Sequence, residues 1–93
     1  MAFGVVTVTA APTKIITANP RRQSYMFANS DLANSIYIGP DDSVLDSTGF
    51  PIGPLNQFAE DKSQAGFYLG DVYAICPAGQ TAEIRYWERI GNI

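Results

Sequence analysis

The chain has 93 residues, 46% of them apolar, and a net charge of −3, which bounds it to one domain with an ordinary core and a modest reserve of buried surface. Charged residues make up only 16%, below the roughly one quarter usual in globular domains. Lys and Arg are scattered apart from Arg21-Arg22, which excludes the basic stripe that phosphate binding needs, and with it a nucleic-acid partner. No apolar run approaches the ~18 residues of a spanning helix. Met1-Ala2-Phe3-Gly4-Val5-Val6 lacks the basic start and long apolar stretch of a secretory signal, so neither a membrane partner nor export is expected. The single cysteine, Cys76, leaves no internal disulfide and sits in an apolar strand pattern, where a small core residue is expected rather than a reactive thiol.

No window of about a dozen residues keeps a helical apolar stripe free of Gly or Pro, so the chain reads as short strands divided by turns. Phe3–Thr9 is a first strand ending at Ala10-Ala11-Pro12. Residues 1–12 are either an ordinary first strand or an N-terminal extended arm that adds to the sheet of a neighbouring chain. Residues 13–93 form the body. Lys14–Thr17 is a second strand, and Asn19-Pro20 starts a turn. Ser24–Asn29 places Tyr25 and Phe27 on one face and Met26 and Ala28 on the other. After a polar turn, Ser35–Gly39 directs Ile36 and Ile38 to the core and Tyr37 away from it. Val44-Leu45 forms a brief edge segment, residues 46–54 a long punctuated loop, and Leu55–Phe58 a short strand. Residues 60–64 are a polar surface loop, and Gly66–Leu69 is another short strand. Asp71–Cys76 alternates Val72, Ala74 and Cys76 against Tyr73 and Ile75. Pro77-Ala78-Gly79-Gln80 is a hairpin turn with Pro at the second position and Gly after it. Its partner strand Thr81–Trp87 directs Ala82, Ile84 and Tyr86 inward and Glu83 and Arg85 outward, and residues 89–93 have no assignment. The fold class is therefore all-β, a single small antiparallel β-sandwich or flattened β-barrel of six to eight short strands.

Chemistry-bearing residues are sparse. Histidine is absent, which removes the commonest general base and metal ligand and every Ser-His-Asp or Cys-His arrangement. One cysteine cannot build a structural zinc site, and neither a glycine-rich phosphate loop nor a dinucleotide fingerprint is present. No cofactor is expected. Carboxylates remain: Asp41, Asp42 and Asp46, and the pair Glu60-Asp61. A chain of this length has little room for both a core and a cleft between two acids, so the chain is not expected to be an enzyme. Asp41, Asp42 and Asp46 offer oxygens to calcium, but their spacing is not that of an EF-hand loop and turn formation explains the same residues. Exposed aromatics either stack on sugar rings or anchor protein interfaces, and Tyr37 and Trp87 fall opposite the inward residues. Arg21-Arg22 is either solvated or paired with acids of a partner subunit. The interface candidates are Phe3, Val5, Val6 and Val8 of the first strand, with Arg21, Arg22, Tyr37, Phe50 and Trp87.

From Asn19 to Glu88 the chain resembles small virion proteins encoded beside the capsid genes of tailed bacteriophages. The likeness rests on Asn29-Ser30-Asp31 ahead of Ile36-Tyr37-Ile38-Gly39, then Gly49-Phe50-Pro51-Ile52, Gly70-Asp71-Val72-Tyr73-Ala74-Ile75, and Ile84-Arg85-Tyr86-Trp87-Glu88. These motifs are strand and turn requirements, so they carry a fold more securely than a role. The resemblance implies a capsid decoration or cement protein, made in the bacterial host cytoplasm and placed on the capsid surface of the virion. Its expected partners are the major capsid protein and further copies of itself, as a homotrimer. The added fibre or receptor-binding domain of longer members is not expected, which favours the decoration role. The alternatives are a head–tail adaptor or fibre-base knob of the same virion, and a carbohydrate-binding β-sandwich module.

Overall fold

A computed structural model describes residues 2–91, with Ala2 described by its backbone alone. Met1 of the expected arm and Asn92-Ile93 of the unassigned tail lie outside the described residues. Eight strands follow in chain order: β1 Ala2–Val8, β2 Thr13–Ile16, β3 Arg22–Asn29, β4 Ile36–Gly39, β5 Phe50–Ile52, β6 Gln57–Asp61, β7 Val72–Ile75 and β8 Ala82–Ile90. They form two four-stranded antiparallel sheets, one in the order β1-β8-β3-β6 (sheet A) and the other β2-β7-β4-β5 (sheet B). The pairs 1·8, 2·7, 3·6 and 4·5 are those of one long hairpin rolled over on itself, joined by the 8·3 and 7·4 contacts. That is the strand order of a jelly roll. The expected all-β sandwich is present, at the upper end of the expected strand number.

The alternation read from the sequence sets the two inner faces. Tyr25 and Phe27 of β3 and Ala82 and Ile84 of β8 meet Ile36 and Ile38 of β4, Ile52 of β5, and Val72 and Ala74 of β7, all buried. Cys76 joins this core with its thiol against the Val8 carbonyl (3.6 Å), and burial pushes its pKa up, which makes it a poor nucleophile. The chain leaves sheet A after β1 by handing its Thr9 carbonyl to the Cys76 amide of sheet B (2.8 Å).

Several local expectations are corrected. Residues 77–80 do not make a hairpin, because β7 and β8 belong to opposite sheets and the turn carries the chain across the sandwich. Its hydrogen bond runs from Gln80 N to Pro77 O (3.1 Å), so Pro77 is the first turn residue and Gly79, at φ 78°, the third. Ile75 is buried although it lies on the face opposite Ala74, with Tyr37 as its cross-strand neighbour. Val44-Leu45 is not a strand. Val44 is buried, and a Cβ at Gly39 or at Gly49 would lie within 3 Å of its Cγ2, so those two glycines let the 40–48 loop fold back on β4. The 46–54 stretch contains β5. The strand expected at 55–58 is shifted to Gln57–Asp61, which absorbs Glu60 and Asp61 from the expected loop. Gly66–Leu69 is irregular, and the tail through Ile90 continues β8.

Two buried polar side chains, at the two ends of β3, tie the sheets together. Arg22 is 2% exposed. Strict alternation back from Tyr25 would point it outward, but a bulge between Arg22 and Ser24 reverses the phase and turns it in. Its Nε donates to Glu88 Oε2 (2.6 Å), Nη1 donates to the carbonyls of Tyr68 (3.1 Å) and Gly70 (3.0 Å), and Nη2 donates to the Thr17 carbonyl (2.7 Å). The guanidinium thus joins sheet A to the end of β2 and to the segment entering β7. At the far end, Asn29 donates from Nδ2 to the Asn34 (2.8 Å) and Ile52 (3.0 Å) carbonyls and accepts from the Asp31 amide (2.9 Å). Every buried side-chain nitrogen and oxygen among the described residues has a partner.

The acidic turn residues act locally. Asp31 accepts from the Ala33 (2.9 Å) and Asn34 (2.6 Å) amides, Asp41 from the Ser43 amide and hydroxyl, and Asp61 from those of Ser63. These hydrogen bonds hold all three carboxyls below their ordinary value of 3.8.

Two expectations follow from these contacts. Arg22→Ala and Glu88→Ala should each lower stability by ~3–5 kcal/mol in urea unfolding, because each leaves a buried charge unpaired. The Arg22→Met/Glu88→Met double variant should cost well under the sum, and single variants costing under ~1 kcal/mol would remove the bracket from the account. The turn carboxylates contribute stability that is complete above their unfolded value of 3.8 and is lost as pH falls through their lower folded values. A melting-temperature series against pH should therefore fall less steeply in acid for Asp31→Ala/Asp41→Ala/Asp61→Ala than for the parent chain, and parallel curves would contradict this.

Candidate functional site

The outer face of sheet A collects three of the exposed interface candidates, Phe3, Val5 and Trp87. Successive strand residues point to opposite faces, so inward Val6 and Val8 imply outward Phe3, Val5 and Thr7. The register then aligns Phe3 of β1 with Trp87 of β8, Trp87 with Met26 of β3, and Met26 with Ala59 of β6. One uninterrupted apolar row therefore crosses all four strands, with neighbouring Cβ atoms ~5 Å apart. Phe3 is 78% exposed and Trp87 48%. Val5 (49% exposed) and Ala28 belong to the next row, on either side of Arg85. Charged and polar groups border the row: Glu83, Arg85 and Arg89 on β8, and Ser24 with its cross-strand partner Asp61. Beside Trp87 a shallow groove of about 420 Å³ runs past Met26, Ala59, Asp61 and Gln64.

The remaining candidates divide. Val8 is fully buried and Val6 packs against the core, so neither presents a surface; both lie on the inward phase of β1. Arg22 is neither solvated nor offered to a partner subunit, since it is buried and its four hydrogen bonds end on Glu88 and three carbonyls of its own chain. Arg21 is exposed, and its backbone caps the turn through Asn19 Oδ1 (2.9 Å). Tyr37 is half-buried on the outer face of sheet B, between Ile75 and Pro51, away from the row on sheet A. Phe50 is 52% exposed at the β5 edge, where its ring lies 4.8 Å from that of Phe58 and helps wall an apolar cleft of about 300 Å³ with Tyr25, Phe27, Ile38 and Tyr68.

Of the first twelve residues, Ala2–Val8 form β1. β1 pairs along its whole length with β8 of its own sheet, in a register without interruption.

The two carboxylate groupings do not converge. Glu60 and Asp61 are neighbours on a strand and point to opposite faces: Glu60 accepts from the Tyr25 hydroxyl, Asp61 from Ser63. Burial and the Glu60 carboxylate both push the Tyr25 phenol far up. Asp41 is engaged by Ser43, and no group of His, Cys, Asp or Glu among the described residues is arranged to hold a metal ion.

Sequence reasoning missed Met26 and Ala59 as members of the row, because neither is distinctive until the register aligns them. It also missed Glu88, whose phase was legible: counting by two from Ala82, Ile84 and Tyr86 puts an acid on the inward face, which demands a buried cation. The site is an apolar centre with a polar rim, the anatomy of a protein-docking surface. No protein-family profile, curated protein or solved structure matches the chain.

Proposed function

We propose that this chain is a virion structural protein of a tailed bacteriophage, a capsid decoration or cement protein. It binds the major capsid protein on the outside of the head, bridges neighbouring capsomers as a homo-oligomer, and stabilises the shell against internal pressure. It works by binding and not by catalysis. The observation that carries this reading is the row Phe3–Trp87–Met26–Ala59 on the solvent face of sheet A. Large aromatic side chains with a polar rim are what protein interfaces use as anchors. The motif resemblance and the jelly-roll strand order, which viral capsid domains share with lectins, add support at the level of fold.

Repetition explains how so small a face suffices. Each copy offers a modest patch, and copies joined to one another bind their shell by multivalency.

A second reading has one observation in its favour: the exposed ring pair Phe3 and Trp87, which also suits stacking on a sugar. A head–tail adaptor or fibre-base knob uses the same face at fewer places.

The test uses heads lacking this protein, to which the purified chain is added back. Trp87→Ser should weaken head binding roughly thirtyfold, the loss of an anchor worth about 2 kcal/mol, with unchanged thermal unfolding of the isolated protein. Undiminished binding by Phe3→Ser/Trp87→Ser would overturn the proposal. A bound stoichiometry of a handful per particle would move it to the adaptor or fibre base. Glycan-array binding that Trp87→Ala abolishes, without head binding, would support the carbohydrate reading instead.

A further inference from the structure

Each sheet of a sandwich ends in two edge strands whose unpaired N–H and C=O groups invite another strand, and proteins blunt such edges with charge, proline, bulges or brevity. Three of the four edges here carry these devices. β2 has four residues, a lysine at position 14 and a bulge between Lys14 and Ile16. β5 has three residues, and its central Pro51 has no N–H to offer. β6 carries Glu60 and Asp61, with Lys62 directly after it.

β1 carries none. It has seven residues, Ala2-Phe3-Gly4-Val5-Val6-Thr7-Val8, with no charge and no proline. It pairs with β8 from Ala2↔Glu88 to Val8↔Ala82 without a bulge, which leaves it regular on its open side. The two outward apolar side chains of this edge strand, Phe3 and Val5, are 78% and 49% exposed.

We propose that β1 is a self-association edge, and that two copies of this chain pair antiparallel through it to make one continuous eight-stranded sheet. Two features favour a second copy as the occupant. First, two identical uncharged strands meet with no like-charge contact, whereas β6 against itself would bring acids together. Second, the pattern is self-complementary about a two-fold axis. Opposed residues in a ladder must share a face, which restricts the axis to a residue position, and either Gly4 or Val5 qualifies. Around Gly4, Phe3 faces Val5 of the second copy twice over, an aromatic against a β-branched side chain. Around Val5, the two valines face each other and Phe3 lies diagonal to the second Val5. Either axis sets the ring of Phe3 beside Val5 of the second copy and joins the apolar rows of both copies into one wider outer face. Such a contact is isologous and closes at two subunits. It therefore replaces the three-fold state implied by the family resemblance, and it holds whether or not the protein binds a shell.

Sedimentation of the full chain over a concentration series tests this. The parent chain should show a monomer–dimer equilibrium. Val5→Lys and Val5→Glu, each alone, should weaken it at least about tenfold, the factor that 1.4 kcal/mol represents, since either places like charges beside the axis. An equimolar mixture of the two should restore the dimer. Amides of residues 2–8 should gain hydrogen-exchange protection as the parent concentration rises. Unchanged circular dichroism and thermal unfolding of the dilute variants establish that they fold. Trp87→Ser, which removes the shell anchor, should leave the dimer intact, so this idea and the shell-binding proposal fail separately. A parent chain that is monomeric or trimeric throughout, Val5→Lys dimerising like the parent, or a mixture that stays monomeric would each overturn the proposal.

Discussion

Arg22 is the hinge on which the two layers hang. Strands of one sheet of a jelly roll make no ladder bonds to the other, so its two sheets are held together mainly by side chains. Hydrophobic contact between the sheets is strong but not directional. Arg22 adds direction: one guanidinium reaches an acid on its own sheet and three carbonyls at the margin of the other. Asn29 does the same at the opposite end of β3 with three hydrogen bonds. A central strand bracketed at both ends fixes how the sheets slide and rotate, and so fixes which residues of each inner face meet. The cost of burying an ion pair is heavy, and it is offset here because the surrounding lone pairs and protons are nearly all used.

This bracket suits the topology. Only β4 and β5 are both consecutive in sequence and neighbours in a sheet; every other ladder closes a long stretch of chain. The entropy of those closures is lost before the contacts form, which makes such folds slow and leaves strand edges open during assembly. Partners far apart along the chain, such as Arg22 and Glu88 at a separation of 66 residues, then lock a register that local preference cannot specify.

The surface follows the same logic in reverse. Three edges are closed to strangers by lysine, proline, acids or shortness, while β1 is left plain and the face beside it apolar. A charge-poor chain spends its few charges on the bracket, on the turns and around the rim of sheet A. β1 and the row behind it form one contiguous uncharged region, where binding is proposed to occur.

The sequence alone determined the all-β class, most strand positions and nearly every inward residue, because an alternation of period two is written residue by residue and needs no partner to be read. It likewise marked Phe3, Val5, Phe50 and Trp87 as surface candidates. Only the tertiary structure decided which strands are neighbours, that Pro77–Gln80 crosses the sandwich instead of closing a hairpin, and that Met26 and Ala59 complete a row begun by Phe3 and Trp87. It also decided that Arg22 is a buried clamp, where its dipeptide with Arg21 reads as solvated charge or as a pair for a partner subunit's acids. A single bulge at Gln23 made that difference, and its reason is physical. Strand phase is local, but register, bulges and inter-sheet pairing are settled by contacts between segments far apart in the chain, and these contacts leave no mark in any short stretch of sequence.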